Sequence, residues 1–252
     1  MRQVIVIPAR MSGKRLPGKP LIKILGKEML LHVWELCTKV FDKKKIYVAT
    51  EDNKIVNFCN KFGIQVVKTT YAPTALYRIK LFSDKIKAKG YININGDEPI
   101  ANLTDVRKLI KYNKKYPNKV VIGRGFCSKQ KYKDSTKAKI ITSNSGKLIY
   151  CSRLSVPYSK KDYTKYAKSA VWHHALNKNA LDKYVKNFSL TKLDKLEGIE
   201  INTMLETEIN VHTINMIGDN WAVDVKKDIK IVENLLKKKG KRPHKILGAK
   251  KM

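Results

Sequence analysis

The residues best suited to carry chemistry lie in a loop near the N-terminus. An apolar run at positions 4–7 leads into this loop, and positions 9–20 hold two glycines, two prolines, two arginines and two lysines. Proline and glycine exclude a helix interior here, because proline lacks an amide donor and glycine loses much conformational freedom. Backbone N–H groups beside fixed cations suit the phosphates of a nucleotide. The loop is therefore predicted to bind a polyphosphate.

Two aspartates further along the chain are candidates for holding a divalent cation. Asp97 follows an apolar run through Gly96, and Asp224 stands just before the last predicted helix. Mg²⁺ prefers one or two carboxylates together with phosphate oxygens, and this pair could supply them beside the basic loop. Two simpler interpretations stay open: Asp97 could only stabilise its own turn, and Asp224 could only cap the helix.

Strand and helix signals alternate through the first half of the chain. Apolar runs predict strands at 4–7, 45–50, 64–67, 91–95 and 119–122, and helical spacing predicts helices at 28–39, 52–61, 75–87 and 103–116. This order predicts an α/β fold with a doubly wound, mostly parallel sheet. Ligands of such sheets bind beyond the carboxyl ends of the strands, where both the basic loop and the acidic turn fall.

The second half of the chain has a different character. Strands are predicted at 138–142, 148–151 and 208–215, with a turn at 144–146, and helices at 179–187, within 195–205 and at 225–238. Since no linker or internal repeat is evident, residues 1–240 are interpreted as one domain with an embedded β-rich extension. The basic residues 241–252 are predicted to form a mobile tail.

Composition limits the classes of protein to consider. Of the 252 residues, 43% are hydrophobic and 29% charged, which is typical of a globular protein, and no apolar run approaches the roughly 20 residues of a membrane span. Because the first residues lead directly into a predicted strand, we expect no leader peptide, and the cysteines form no CxxC pair. The four cysteines are therefore interpreted as reduced thiols, and the protein is expected in the cytoplasm.

The net charge of +32 is the unusual feature of the composition. It comes from lysines spread along every segment, with only eight arginines. Because a nucleic-acid surface usually clusters its charge and contacts bases through arginine, we favour a compositional bias over nucleic-acid binding. If the protein bound a nucleic-acid duplex with a steep dependence on salt concentration, this would support nucleic-acid binding instead.

Four segments, taken together, carry a family resemblance. They are IPARMSGKRLPGKPL at 7–21, NINGDEP at 93–99, LIYCSRLSVP at 148–157 and AVDVKKDI at 222–229. In type, order and spacing they resemble the 3-deoxy-manno-octulosonate cytidylyltransferases, the enzymes that make CMP-Kdo. The first segment is the most specific of the four, and the last is the weakest match.

The resemblance implies a nucleotide-diphospho-sugar transferase-like fold and a nucleotidyl transfer. The anomeric hydroxyl of a 2-keto-3-deoxy sugar acid would attack the α-phosphorus of CTP, and pyrophosphate would leave. Arg15, Lys19 and Asp97 would be catalytic, and Arg10 would help the two cations to stabilise the pyrophosphate. Mg²⁺, held by Asp97 and Asp224, would neutralise the phosphates and align the nucleophile.

The same resemblance implies the binding contacts. Backbone N–H groups near Ser12 and Gly13 would hold phosphate oxygens. The nucleotide-binding residues would be Pro8, Ala9, Arg10, Ser12, Gly13, Arg15, Lys19, Arg78 and Asn95. The sugar acid would contact Arg153, His174 and Glu200. By analogy of fold, a homodimer would form through residues 130–180.

The sequence also departs from the family. Where the family has the segment H-x-S-G-T-[DE]-R, this chain has residues 70–78, and only Arg78 matches. Asn95 stands where the family has a glutamine. His173 and His174 occupy part of the predicted sugar-binding region. They are interpreted either as contacts to the sugar or as ordinary strand residues, one buried and one exposed. These departures leave open another base or a phosphosugar acceptor, a modified or longer ulosonic acid, and an inactive relative.

Overall fold

The centre of the molecule is a mixed β-sheet. The computed structural model describes residues 2–13, 15–189, 191–218 and 220–240, and within them nine strands form one sheet and two short strands a hairpin. The strands are β1 (Gln3–Pro8), β2 (Lys23–Ile24), β3 (Lys27–Glu28), β4 (Ile46–Thr50), β5 (Gln65–Lys68), β6 (Gly90–Asn93), β7 (Val120–Phe126), β8 (Lys139–Thr142), β9 (Leu148–Ser152), β10 (Lys168–Leu176) and β11 (Val211–Asn215). The helices are α1 (Met29–Thr38), α2 (Asn53–Lys61), α3 (Ala75–Lys85), α4 (Leu103–Lys115), α5 (Lys129–Lys133), α6 (Lys178–Asn187), α7 (Leu193–Glu197), α8 (Ile201–Glu206) and α9 (Lys226–Gly240).

Seven of the described strands form the continuous part of the sheet, in the order β11-β7-β10-β6-β1-β4-β5. β1 pairs in parallel with β4 and β6, β4 with β5, and β7 with β11. The exception is β10, which runs antiparallel to both of its neighbours, β6 and β7. The predicted α/β fold with a mostly parallel sheet is confirmed, but its middle contains a reversed strand that periodicity did not predict.

The reversed strand β10 lacks a clear sequence signal because its burial does not alternate throughout. Side chains alternate between buried and half-buried from Lys168 to Trp172, and then all four from His173 to Leu176 are buried. Its register against β7 also shifts between Val171 and His174. A period of two marks a strand covered on one face only, and β10 is covered on both faces at its end.

The first strand shows why an unbroken apolar run forms the middle of this sheet. Val4 and Val6 pack into the core on one face, and Ile5 and Ile7 pack into the core on the other, all without exposed surface. A parallel strand covered by helices on both faces is hydrophobic at every position. The carboxyl end of β1 then delivers Pro8 and the basic loop to the edge of the sheet.

Most predicted helices are present with small changes at their ends. The predictions at 28–39, 52–61, 75–87, 103–116, 179–187 and 225–238 correspond to α1, α2, α3, α4, α6 and α9. Residues 195–205 instead fall in two short helices, α7 and α8, because Gly198 adopts a left-handed conformation with φ 61° that ends α7. This break brings Glu200 to the edge of the cleft described below.

The embedded extension continues the main sheet. β8 and β9 form the predicted antiparallel hairpin, and its turn uses Gly146 at φ 82°. β8 also pairs with Lys168 and Ser169 at the start of β10. The hairpin is therefore joined to the sheet through the reversed strand.

Three further expectations can be compared with the structure. All four cysteines are buried free thiols. Across the described ranges, no helix combines the length and apolar character needed to cross a membrane. The predicted tail, residues 241–252, lies outside the described residues.

Candidate active site

A cleft with two adjoining compartments lies at the edge where the parallel strands end. The basic loop lines the larger one, about 700 Å³ and here named the loop compartment, and β10 lines the smaller one, about 450 Å³ and named the β10 compartment. Five residues line both: Arg15, Ala75, Asn95, Glu200 and Asp224. The two compartments therefore meet along a shared wall.

Of the residues that the sequence put forward, all but His173 line this cleft. In the loop compartment are Pro8, Ala9, Arg10, Ser12, Gly13, Arg15, Lys19, Arg78, Asn95, Asp97 and Asp224. Arg153 and His174 line the β10 compartment, and Glu200 lines both. Fold and spacing thus bring together positions that are more than 200 residues apart, while the roles of these residues stay predictions.

The basic loop is held by hydrogen bonds at both of its ends. The Met11 amide donates to Oδ2 of Asp52 at 2.8 Å, and the Met11 carbonyl accepts from Gly18 at 2.9 Å. Gly18 has φ 71°, which suits a residue without a side chain. The acidic turn approaches the same loop closely, since a Cβ on Gly96 would lie 3.0 Å from the Pro8 carbonyl oxygen.

Two cations and two carboxylates form an ionic cluster where the compartments meet. Nζ of Lys19 lies 2.6 Å from Oδ2 of Asp97 and 3.5 Å from Oδ1 of Asp224. The same Asp224 oxygen accepts from Nη2 of Arg15 at 2.9 Å. Because these side chains are one-fifth to two-thirds exposed, incoming charged groups can reach them.

The Asp224 side chain is directed to this cluster by contacts of its neighbours. The Val223 amide donates to the Asp97 carbonyl at 2.9 Å, which fixes the late segment beside the acidic turn. The amides of Asp224 and Val225 donate to the Asp228 carboxylate, at 2.8 and 2.9 Å. Asp228 therefore satisfies these amides at the start of α9, and the interpretation of Asp224 as only a helix cap is wrong.

The donor set fits a Mg²⁺ ion that also binds phosphate. Asp97 and Asp224 supply hard oxygen ligands that already converge on one ammonium group. Among the described residues, no group of three or more His, Cys, Asp or Glu side chains could hold a metal ion alone. The remaining ligands would therefore be phosphate oxygens and water, as is common for Mg²⁺ at nucleotide sites.

Two predicted nucleotide contacts are engaged within the protein. The Gly13 amide, expected at a phosphate, donates to the Met11 carbonyl at 2.9 Å. Arg78 is 2% exposed, and its guanidinium lies 3.0 Å from Glu51 and donates to Thr69 at 2.9 Å. Arg78 thus forms part of the compartment wall, with its charge balanced by a carboxylate.

Arg153 at the end of β9 organises the wall of the β10 compartment. Its guanidinium donates to the carbonyls of Glu197 and Gly198 at 2.6 and 3.1 Å, and to those of Ser135 and Thr136 at 3.4 and 3.3 Å. Every recorded partner of this guanidinium in the described part of the chain is a backbone carbonyl. Its positive charge is therefore not cancelled by an ion pair and favours an anion in the compartment.

Two glutamates help to build this wall. The Glu197 carboxylate accepts from the Tyr150 hydroxyl, the Ser152 hydroxyl and the Arg153 amide, at 2.8–2.9 Å. Glu200 accepts from the amides of Ala75 and Leu76, at 3.2 and 2.9 Å, at the start of α3. Burial raises the pKa of Glu200 above its ordinary value, although the N–H groups at the start of the helix favour the carboxylate. Glu200, predicted to bind sugar, therefore also fixes α3 to the cleft.

Both adjacent histidines are buried, so the interpretation that one is buried and the other exposed is wrong. His173 is 0% and His174 6% exposed. Nε2 of His173 lies 3.1 Å from the Asn220 amide nitrogen, and Nδ1 of His174 lies 3.0 Å from that of Asn93. Burial, with a smaller contribution from the charge of His173, lowers the pKa of His174 to about 3. The His174 ring is therefore neutral near pH 7.

Sequence reasoning missed part of the β10 compartment. Asn93 stands in the quoted NINGDEP segment but was not proposed as a site residue, although a polar side chain that ends an apolar run is a usable signal. Trp172 and residues 135–137 also line the compartment. They carry no local signal, because Arg153 and β10 bring them there through contacts between distant parts of the chain.

Comparisons with known proteins show the family of this chain. The sequence matches the family described as Cytidylyltransferase over residues 4–229. It is 29% identical over 250 residues to 8-amino-3,8-dideoxy-manno-octulosonate cytidylyltransferases of Shewanella sp. (strain ANA-3) and Shewanella oneidensis, covering 94% of this chain and 99% of each relative.

Solved structures give the same result for the fold. The structure is similar to that of a CMP:2-keto-3-deoxy-manno-octonic acid synthetase complexed with CTP, with a TM-score of 0.85 and 26% identity over 95% of this chain and 100% of the other. HddC from Yersinia pseudotuberculosis, complexed with GMP-PN, shares the fold at a TM-score of 0.65 and 14% identity, over 94% of this chain and 100% of its own. Since the family match spans nearly the whole chain, this protein belongs to the cytidylyltransferase family.

Proposed function

We propose that this protein transfers CMP from CTP to the anomeric hydroxyl of a 3-deoxy-octulosonate-like sugar acid and releases pyrophosphate. The observation that carries the proposal is the contact of Lys19 with both Asp97 and Asp224, at 2.6 and 3.5 Å, where the two compartments meet. The two Shewanella relatives are named for a transfer of this class and align over almost their full length.

The loop compartment suits the triphosphate. Arg10, Arg15 and Lys19 lie on its walls and would stabilise the negative charge that grows on the leaving pyrophosphate. In the transfer, the anomeric hydroxyl gives up its proton to solvent, its oxygen forms a bond to the α-phosphorus, and the bond from that phosphorus to the bridging oxygen of pyrophosphate breaks. Arg15 lines both compartments and therefore lies near the position where these bonds change.

Asp97 and Asp224 would hold Mg²⁺ in this function. The bound ion would supply positive charge to offset the triphosphate and to orient its α-phosphate. The ammonium of Lys19 and the guanidinium of Arg15 contact these two carboxylates and offset their charge. Magnesium dependence of turnover is accordingly part of the proposal.

The β10 compartment suits the sugar acid. Arg153 offers a guanidinium whose charge is not paired with a carboxylate among the described residues, and a guanidinium binds carboxylates well. Lys137 adds a second cation to the lining. The compartment therefore favours an anionic acceptor, with its anomeric hydroxyl directed to the shared wall.

We also propose a cytoplasmic homodimer that contacts its partner through residues 130–180. Large apolar side chains are exposed in and near this segment, with Leu154 at 72%, Tyr158 at 83% and Tyr166 at 75%. Exposed apolar surface of this kind is typical of an interface between subunits. The four buried free thiols are consistent with a reducing compartment.

The proposal is tested by measuring pyrophosphate release from CTP with and without a panel of 2-keto-3-deoxy sugar acids, each with and without Mg²⁺. Release is expected only with CTP, an octulosonate-like acid and Mg²⁺ together. Release with UTP, GTP or ATP in place of CTP would contradict the base assignment. Absence of release with every acid at saturating Mg²⁺ would contradict the function.

Stabilisation by nucleotides gives a separate measurement of base preference. A ligand that binds the folded state raises the unfolding temperature according to its affinity and concentration. CTP is expected to produce a larger increase than UTP, GTP or ATP at equal concentration. The Lys19→Met variant, which keeps the side-chain length and removes its charge, should lose most of this increase.

A further inference from the structure

The floor of the β10 compartment carries two buried polar side chains with unsatisfied atoms. His174 of β10 and Asn93 of β6 stand directly opposite each other in the antiparallel pair, and both line the compartment. Their exposed fractions are 6% and 1%. Nε2 of His174 and Oδ1 of Asn93 have no hydrogen-bond partner among the described residues. Polar atoms of native proteins seldom remain so, which points to a ligand.

A backbone carbonyl fixes the orientation of the first amide in this network. The Asn95 amide nitrogen lies 3.2 Å from the Trp172 carbonyl oxygen and 3.1 Å from Oε1 of Glu98. Because a carbonyl can only accept, the Asn95 nitrogen must face it. Oδ1 of Asn95 then faces Asn93 and accepts from the Asn93 amide nitrogen at 3.0 Å.

The orientation of Asn93 fixes the proton of His174. The same Asn93 nitrogen lies 3.0 Å from Nδ1 of His174. An amide nitrogen only donates, so Nδ1 is an acceptor, and in a neutral imidazole the proton is then on Nε2. The low pKa of His174, about 3, excludes the doubly protonated ring at neutral pH. His174 thus offers one N–H donor, and Asn93 offers one carbonyl acceptor.

We propose that Asn93 and His174 bind hydroxyl groups on the carbon chain of the acceptor, while its carboxylate lies at Arg153. A hydroxyl can accept from Nε2–H and can donate to Oδ1 of Asn93. A carboxylate has no proton for Asn93, and an ammonium group has no lone pair for the His174 donor. This inference rests on the proposed function and defines which part of the sugar acid meets the floor of the compartment.

The protonation of His174 can be tested without any substrate. In ¹⁵N-labelled protein, two-bond nitrogen–proton correlations distinguish the two neutral forms of each imidazole, and the signal lost in H174Q identifies His174. The proton is expected on Nε2 throughout the range from pH 6 to 8. A proton on Nδ1, or a charged ring in this range, would overturn the inference even if the enzyme is active as proposed.

Recognition of the hydroxyls is tested by kinetics with three variants. H174F should raise the KM for the acceptor by about tenfold or more, because a buried hydrogen bond is lost, and leave the KM for CTP within about twofold. H174Q should raise the KM for the acceptor by less, since its amide can accept from Asn93 and still donate into the compartment. H212F, at a histidine that lines neither compartment, is the control.

Acceptors that lack single hydroxyls complete the test. With the wild type, an acceptor without the hydroxyl at this site should have a KM about tenfold higher than the complete acceptor. With H174F the two KM values should be nearly equal, because that variant has already lost the contact. If removal of each hydroxyl raised the KM for the acceptor equally in both proteins, or if H174F and wild type had equal KM values, this inference alone would be overturned. Failure of the wild type with all sugar acids would overturn the proposed function as well.

Discussion

The two compartments of the cleft are built from different interactions. The loop compartment is polar and ionic, with Lys19 and Arg15 paired to Asp97 and Asp224 by side chains that solvent can reach. The β10 compartment is built from backbone carbonyls that Arg153 contacts and from the buried neutral side chains of Asn93 and His174. Exposed charges can rearrange around a triphosphate and a metal ion, whereas buried neutral groups hold one geometry. The difference suggests that one compartment stabilises changing charge and the other selects shape.

The largest effect is expected from Asp97→Asn. The substitution removes a carboxylate that contacts Lys19 and would hold Mg²⁺, so kcat/KM should fall by about 10³-fold or more. The Asp97 side chain is 27% exposed and the substitution keeps its size and its backbone contact with Val223, so the unfolding temperature should stay close to that of the wild type. A variant that unfolds instead would show that Asp97 is structural, and retained turnover would exclude it from catalysis.

A more selective effect is expected from Arg153→Lys. Lysine keeps the charge but cannot donate to four carbonyls in a fork, so the KM for the acceptor should rise by about tenfold while the KM for CTP stays unchanged. Steady-state kinetics with each substrate varied in turn provides the measurement. Arg124→Lys, outside both compartments, is the matched control. Equal increases of both KM values would show that the compartments do not divide the substrates.

Glu197→Gln should reduce stability in a way that depends on pH. Burial favours a raised pKa for Glu197, but hydrogen bonds from Arg153, Ser152 and Tyr150 outweigh it and lower the pKa. The carboxylate therefore stabilises the fold above its ordinary pKa of 4.5, and this contribution is lost as the pH falls through the lowered value.

Thermal unfolding of Glu197→Gln and wild type at several pH values measures this dependence. At pH 7 the variant should lose about 1 kcal/mol of unfolding free energy, because its amide cannot accept from all three part-buried donors. The difference in unfolding free energy between Glu197→Gln and wild type should become smaller below about pH 4. A difference that does not change with pH would show that the charge of Glu197 does not hold the wall of the β10 compartment.

The smallest effect is expected from Arg15→Lys. The Arg15 side chain is 67% exposed, and ion pairs at such positions contribute little to stability. Since lysine retains the positive charge, kcat/KM for CTP should fall by only about three- to fivefold. A fall as large as that of Asp97→Asn would show that the arginine fork itself contacts the reacting phosphates.

The comparison also explains what could be predicted from the sequence. The loop compartment comes from local signals: the unbroken apolar run of β1, the turn residues after it, and Asp97 at the end of β6. Their order along the chain sets their place at one edge of a parallel sheet. The positions of Lys19, Asp97 and Asp224 in the cleft therefore follow from pattern and family resemblance.

The β10 compartment could be predicted only in part. Arg153, His174 and Glu200 were named through the resemblance, but β10 itself was not predicted as a central reversed strand. Its pairing with β6 and β7 and the approach of residues 135–137 depend on contacts between distant segments, which local periodicity does not record. The burial of both histidines was missed for the same reason.

A crystal structure with CTP and Mg²⁺ would test the central claim most directly. We predict the triphosphate against Arg10, Arg15 and Lys19, a metal ion bound by Asp97 and Asp224, and the α-phosphate at the wall shared with the β10 compartment. A triphosphate bound in the β10 compartment, or a metal ion that contacts neither aspartate, would contradict this account of the cleft.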